Sequence, residues 1–535
     1  MTAGIAVRGG GAGAGQLTGI SPLFRLALRR DRIMLPVWVL VLTLMVVSGG
    51  SSIEQLYDTP AARAEVATSM SANSSLRSMY GPVFGDSTGG LVAWRFGVFA
   101  ATLAAVMSLI IVIRHTREEE ETGRQELLSS AVVGRRAPLT SALLTALAAN
   151  ALVTLFITGG LAAQGGTGAL ALGLAVGATG MLFATMAAIV AQLTESARLA
   201  KGMTGGVLGL AFLLRAAGDS GANDGSSLLT WLSPIGWAEN MRPYAGERWW
   251  VLLLFVAAIA AQAAAAYTLA GRRDIGMGFL PARPGPAEGR LATAGGLAWR
   301  LQRGTLLGWT VGYAVAGVVF GGMARGAADL VGDNEQAKEI FARMGGQEVV
   351  TQAFLAAMVG MLGMMAALYA VASILRMHGE ETSQRAEPLL ANSLGRLRWA
   401  AGHLVIAFGG AVAIMLVGGL GLAVGYGDEF GAVLGASLVQ VPAIWLLGGL
   451  AVLLYGALPK AAPAAWGVVG ACLLIGWIGP ALDLPRSVMD LSPFGHLPKL
   501  PGTEMQWTPV LLLTAMAVAL TGAGLAALRR RDLAT

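Results

Sequence analysis

The chain has 535 residues, 55% hydrophobic and only 13% charged, with a formal net charge of +6. Soluble domains carry about 25% charged residues, so this composition excludes an ordinary soluble protein and points to an integral membrane chain. A net charge this small over so long a chain is no nucleic-acid footprint, and no nucleic-acid partner is expected.

Residues 1–20 are Gly-rich, carry only Arg8 as a charge, and lack an apolar stretch of signal-peptide length. They read as a disordered tail. Ser21-Pro22 then opens a helix in which Arg25, Arg29, Arg30 and Arg32 interleave with Leu23, Phe24, Leu26 and Leu28. That pattern suits a helix lying on the inner leaflet, either as a lipid anchor or as a contact for a partner.

Apolar runs long enough to cross a core of roughly 30 Å follow. In the first half they cover roughly 33–50, 91–113, 139–163, 169–193, 202–217 and 249–270. In the second they cover roughly 305–323, 350–375, 399–426, 432–458, 464–480 and 508–528. The Pro/Gly-rich stretch 276–295 reads as a linker between halves 21–275 and 296–535. The expected fold is therefore an all-α integral membrane protein of about twelve transmembrane helices, in two six-helix bundles. An even number of spans per half makes this a parallel repeat.

Loops on one side of these spans hold 25 Lys and Arg residues and loops on the other hold 9. The positive-inside rule then places both termini in the cytoplasm. The lone Cys472 allows no intramolecular disulfide.

The loop after the second span of each half carries the strongest signal. Glu119, Glu120, Arg124, Glu126, Leu128, Gly134 and Arg135 recur as Glu380, Glu381, Arg385, Glu387, Leu389, Gly395 and Arg396, at a constant offset (380 − 119 = 396 − 135 = 261). Leu232-Ser233-Pro234-Ile235-Gly236 recurs as Leu491-Ser492-Pro493-Phe494-Gly495, and Arg272-Arg273-Asp274 as Arg530-Arg531-Asp532. One reading of the loop is a solvated helix end with i,i+4 pairs Glu120–Arg124 and Glu381–Arg385, worth about 0.2–0.5 kcal/mol each. The other is a docking element for a cytoplasmic partner, since acids beside an anionic leaflet call for something other than lipid to face them.

The run Glu120-Glu121-Thr122-Gly123-Arg124-Gln125-Glu126-Leu127-Leu128 resembles the cytoplasmic coupling loop of type 2 ABC exporter permeases. The second copy departs from it, with Gln384 in place of the glycine and Pro388 before Leu389. The fused twelve-span form resembles actinobacterial permeases of the tetronasin, or polyketide-antibiotic, exporter type. The resemblance implies two copies of a separate ABC ATPase subunit, with ATP and Mg on that partner and no cofactor on this chain. It also implies that Glu119–Leu128 and Glu380–Leu389 receive the push of ATP-driven closure, that the helix after Ser21 touches the ATPase, and that a hydrophobic small molecule enters from membrane lipid. In such permeases the second and fifth spans line the path between the halves. The residues nominated here are Trp94, Phe99, Met107 and Phe212, with Phe354, Met358, Met361 and Trp477.

Two rival readings fit the residues less well. A gradient-driven carrier normally holds Asp, Glu or His near the midplane, whereas the spans drawn above contain no acid. Arg95 and Arg215 are expected to snorkel outward, and His403 to sit satisfied near a span end. A membrane enzyme would need a catalytic constellation, yet His115, His378, His403 and His496 are scattered and Glu239 and Glu247 have no evident partner. Neither a phosphate-binding G-x-x-x-x-G-K-[ST] loop nor a zinc motif is present in the sequence.

Overall fold

The computed structural model describes residues 15–72, 74–129, 133–222, 224–280, 293–327, 346–391, 394–478 and 485–532. Among them the protein is helical throughout; its one ladder-type contact is an isolated bridge between Thr194 and Leu280. The chain divides into two compact units, Met1–Pro284 and Gly285–Thr535.

The first unit contains α1 (Ile20–Arg30), α2 (Met34–Leu56), α3 (Pro60–Ala72), α4 (Ser74–Tyr80), α5 (Thr88–Arg114), α6 (Arg117–Glu121) and α7 (Arg124–Ser129). It continues with α8 (Ala137–Gly160), α9 (Gly166–Leu193), α10 (Ala197–Gly221), α11 (Leu228–Trp231), α12 (Pro234–Asn240) and α13 (Val251–Arg272). The second contains α14 (Ala294–Ala327), α15 (Gly346–Thr382), α16 (Glu387–Leu390), α17 (Arg396–Tyr426) and α18 (Phe430–Val439). It ends with α19 (Val441–Ala457), α20 (Ala464–Ile478), α21 (Arg486–Met489) and α22 (Trp507–Arg530).

Eleven helices among the described residues are long and apolar enough to cross a membrane, counting α18 and α19 as one segment, and α20 is a shorter apolar helix where the eleventh run was expected. Local sequence sets several boundaries. Ser87 caps α5 by accepting from the Gly90 amide at 3.0 Å. Ser233 caps α12 through the amides of Ile235 and Gly236, with Pro234 in the first turn, where its missing N–H costs nothing.

In the first unit α5 and α9 form the centre, and their Ala-rich faces are buried. Within that core Asn150 on α8 donates to the Ser108 hydroxyl on α5 at 2.8 Å, satisfying a polar pair that lipid would leave unmet. Leu40, Val41 and Leu44 on α2, and Leu253 and Val256 on α13, are exposed, as residues facing hydrocarbon should be. In the second unit α14 crosses α17 backbone to backbone. A Cβ on Gly317, Gly321 or Gly425 would sit inside the carbonyl of the facing helix, so this contact exists only because those side chains are absent.

The two units differ at their entry. In the first, the amphipathic α1 stops at Asp31 and the chain turns before α2. In the second, the stretch around Trp299 and Arg303 runs without a break into the first span as α14. Residues 15–20, expected to be tail, instead form a short 3-10 turn (Gly15–Leu17) leading into α1. The Gln16 carbonyl accepts from the Arg136 amide at 3.1 Å and the Thr18 carbonyl from the Gly134 amide at 2.9 Å.

Candidate functional site

The repeated loop lies between α5 and α8 in the first unit and between α15 and α17 in the second. In the first it is two short helices, α6 and α7, hinged at Thr122-Gly123, with Gly123 in the left-handed region at φ 72. In the second, α15 runs on to Thr382 and the hinge residue is Gln384, at φ 58. Gln384 is the position equivalent to Gly123, so the same turn is kept where the glycine is lost. A left-handed non-glycine residue costs about 1–2 kcal/mol. Gln384→Gly is therefore expected to raise the stability of the second unit by about 1 kcal/mol, read as a shift in the thermal midpoint of the purified chain.

That hinge also breaks the expected i,i+4 pairs. Arg124 falls beyond the turn and stands 3.6 Å from Glu119, not against Glu120. Glu120 instead takes Arg273, the residue just after α13, in a two-pronged ion pair at 2.5 and 2.8 Å. Its second unit counterpart Glu381 takes Arg531, the residue just after α22, at 2.7 Å through both oxygens. The other repeated basic residue closes the same arrangement. Arg135 donates to the Arg273 carbonyl at 2.6 Å, and Arg396 donates to the Arg531 carbonyl.

The recurrence of Glu, Gly-Arg and Arg-Arg-Asp thus has a structural content: each unit ties its loop, the start of its third span and the end of its last span into one latch. A residue from the end of the fourth span completes each copy. In the first unit Gln192 accepts from Arg273 Nε at 2.6 Å; in the second the Tyr455 hydroxyl donates to Glu381 at 2.6 Å, with Arg531 over its ring. The Glu120 and Arg273 side chains are only 10% and 9% exposed, so this is a buried, bidentate pair and not a screened surface contact. Hydrogen bonding to Glu381 raises the Arg531 guanidinium above its ordinary pKa, so the cation is held more firmly still.

The first unit's loop is anchored further. Arg117 is fully buried and donates to the Ala191 carbonyl at 2.9 and 2.6 Å, to the Met277 carbonyl at 3.0 Å and to Glu120 at 3.0 Å. Glu119 pairs with Arg30 of α1, joining the amphipathic helix to the loop. Glu121 accepts from the Ala197 amide at 2.9 Å, a carboxylate at the N-terminus of α10, where the helix dipole favours it. A cavity of about 400 Å³ lies beside this latch, lined in part by Glu120, Gln125, Arg135 and Arg273. In the second unit Glu380 pairs with Arg376 at 3.4 Å.

What remains exposed at the tips is Arg124, Glu126 and Leu127 in the first unit and Arg385, Glu387 and Pro388 in the second, with Leu389 half-buried. The Leu128 side chain lies outside the described residues.

The nominated path residues sort by burial. Met107 has no exposed surface, and Trp94 is buried with its indole N–H donated to the Gly81 carbonyl at 2.9 Å; both belong to the first unit's own core. Phe99, Phe212, Phe354, Met358 and Met361 are half-buried, and the Trp477 side chain lies outside the described residues.

One expectation is corrected. Arg215 does not snorkel: it is fully buried, 3.3 Å from Asp219 and 3.6 Å from Glu239. Asp219 lies in α10 beyond the span drawn from sequence, and Glu239 has found the partner that sequence left unidentified. His403 lies in the second turn of α17, near the start of that span, and is satisfied there, with Nδ1 2.8 Å from the Gln302 amide nitrogen.

Long apolar helices in a duplicated unit, each copy with a latched loop, define the class: a multi-pass, all-α membrane permease. A family model described as the C-terminal domain of the multidrug efflux system permease Rv1217c matches residues 291–529. Over 532 residues the chain is 43% identical to the multidrug efflux system permease protein Rv1217c of Mycobacterium tuberculosis (strain ATCC 25618 / H37Rv), covering 96% of this chain and 95% of that protein. The chain belongs to that family of permeases.

Proposed function

We propose that this chain is the membrane-spanning subunit of an ATP-driven exporter of hydrophobic compounds, antibiotics or drugs among them, with hydrolysis on a separate pair of ATPase subunits. The observation that carries the reading is the latched loop repeated in both units, each with an exposed tip. A push on a loosely tethered loop would be absorbed locally. A push on these tips is passed through ion pairs and hydrogen bonds to the ends of the fourth and last spans and, in the first unit, to α1 and α10. The printed name of the Mycobacterium tuberculosis relative supports drug efflux as the task; the tetronasin-type cargo is a finer proposal resting on sequence resemblance alone.

In this reading the loops and both termini face the cytoplasm, in keeping with the 25 basic residues on that side against 9 on the other. Glu126 and Glu387 meet the ATPase, while Glu120 and Glu381 position the loop without touching it. The half-buried Phe99, Phe212, Phe354, Met358 and Met361 are the proposed contacts for an apolar cargo.

Charge reversal at the tips tests this. Glu126→Lys with Glu387→Lys is expected to leave membrane insertion and thermal midpoint unchanged and to reduce co-purification of the partner ATPase at least tenfold. Undiminished co-purification would remove the tips from the interface.

A further inference from the structure

The cluster at the end of α10 opposite the loop holds one cation and two carboxylates. Arg215 and Asp219 are fully buried and the Glu239 side chain is 7% exposed. Arg215 spends one nitrogen on the Ser78 and Met79 carbonyls at 2.7 and 3.1 Å, which ties α10 to α4. Asp219 Oδ1 accepts from the Thr230 hydroxyl at 2.7 Å. Asp219 Oδ2 and Glu239 Oε2 flank the same Arg215 nitrogen, at 3.3 and 3.6 Å, which brings the two carboxyls side by side. Beyond the ion-pair contacts to Arg215, no donor among the described residues reaches Asp219 Oδ2 or either oxygen of Glu239.

Two ionised carboxylates are acceptors only, and one facing another without a donor is repulsive. Arg77 favours the Asp219 charge, but only at a distance. Arg77 of α4 gives its donors to the carbonyls of Ser71, Ala72, Asp219 and Ser220. Arg95 of α5 lies over the Tyr80 ring at 5.8 Å. The helices α9 and α11, which also pack on α12, contain no charged residue, and the one charge on α13, Arg272, is at its far end. Glu239 also borders a cavity of about 30 Å³ shared with Tyr80, Phe84 and Trp94, room for about one water. Gly81, at φ 89, leaves space for the site: a Cβ there would stand 2.7 Å from Glu239 Oε2.

We infer that Asp219 and Glu239 form a proton-binding site: Glu239 carries one proton at neutral pH, its O–H donates to Asp219, and the cavity holds a water at the same carboxyl. One proton converts two facing acceptors into a hydrogen bond and leaves a single ion pair, Arg215 with Asp219, inside the protein. Burial and the Asp219 charge both raise the Glu239 pKa, in agreement with this placement. Leu474, in α20 of the second unit, is the residue that falls where Arg215 would recur at the spacing of the repeated Ser-Pro pair (493 − 234 = 474 − 215 = 259). The inference does not depend on what drives transport.

Infrared spectroscopy of the full chain in nanodiscs at pH 7 provides the test. A deuterium-sensitive carboxylic-acid carbonyl band is expected in the wild type and is expected to be lost in Glu239→Gln. It should also be lost in Asp219→Asn, where Glu239 faces Arg215 alone and ionises. A raised carboxyl pKa favours the folded state below the unfolded value and is lost as pH rises through the folded one. Wild-type thermal stability should therefore fall relative to Glu239→Gln as pH rises from about 4.5. A wild type without the band, a band present in both variants, or a Glu239→Gln less stable than wild type at pH 7 would overturn the proton site. A band that survives Asp219→Asn alone would overturn the shared-proton arrangement.

Discussion

Glu120→Gln is expected to destabilise the first unit by about 3 kcal/mol and to uncouple the loop from the last span, because it strands Arg273 in a buried position. Glu381→Gln should do the same to the second unit through Arg531. The double-mutant cycle of Glu120→Gln with Arg273→Gln isolates the pair, and a coupling energy of about 2–3 kcal/mol is expected from its bidentate geometry at 2.5 and 2.8 Å. Chemical denaturation of the chain in detergent, followed by tryptophan fluorescence, reads it out. An additive cycle would mean that the two side chains do not share an interaction in solution. The same variants separate positioning from docking. A latch variant should still bind the partner ATPase but lose drug-stimulated hydrolysis, whereas a tip variant should lose the binding itself.

Arg215→Met is expected to be the most damaging single change in the first unit, with a loss of about 3–5 kcal/mol or failure to accumulate in the membrane. It removes the one cation from two buried acids and leaves the carbonyls of Ser78 and Met79 without their donor. Removing the acids as well should restore most of the loss. A triple change, Arg215→Met with Asp219→Asn and Glu239→Gln, deletes the buried charge altogether, and complete sets of buried charges are often replaceable at little cost. Expression level and thermal midpoint in detergent measure both variants. Equal stability of Arg215→Met and wild type would place the guanidinium in water and not inside the protein.

Most of the span pattern was legible from hydropathy alone, because an apolar run of about 20 residues has few alternatives to a membrane helix. The exceptions have local causes. Pro442 lacks an amide hydrogen, and α18 gives way to α19 beside it at Gln440. Continuity of α14 through Trp299 and Arg303 could not be inferred from its weak likeness to α1, since the break in the first unit depends on a buried side chain. Asp31 there is held by His115 at 2.6 Å and Arg114 at 3.2 Å.

The candidate site was half legible. Identical spacing located the loop and, separately, the Arg-Arg-Asp ends of the two last spans, but periodicity within a helix suggested the wrong partners for Glu120 and Glu381. The deciding feature is the left-handed hinge at Gly123 and Gln384, and a glutamine gives no sign in sequence that it adopts such a backbone. The contacts it permits join residues 153 positions apart in the first unit and 150 in the second. Two repeated motifs that lie far apart and are both charged with opposite sign were the available signal for this pairing. Arg117 carried no such signal beyond its i,i+3 relation to Glu120, and the Arg215 cluster only a lone arginine inside a span and an acid without an evident partner, because its acids fall outside the apolar window of the fifth span.

The central claim is that energy enters through the loop tips from a separate ATPase. Uptake of a lipophilic fluorescent dye into inverted proteoliposomes, with and without the co-purified ATPase, tests it most directly. The expected result is uptake only with ATPase and ATP, abolished by Glu126→Lys with Glu387→Lys and untouched by an imposed proton gradient. Gradient-driven uptake by the chain alone, lost in Glu239→Gln or in His403→Gln, would contradict the account and identify a secondary carrier.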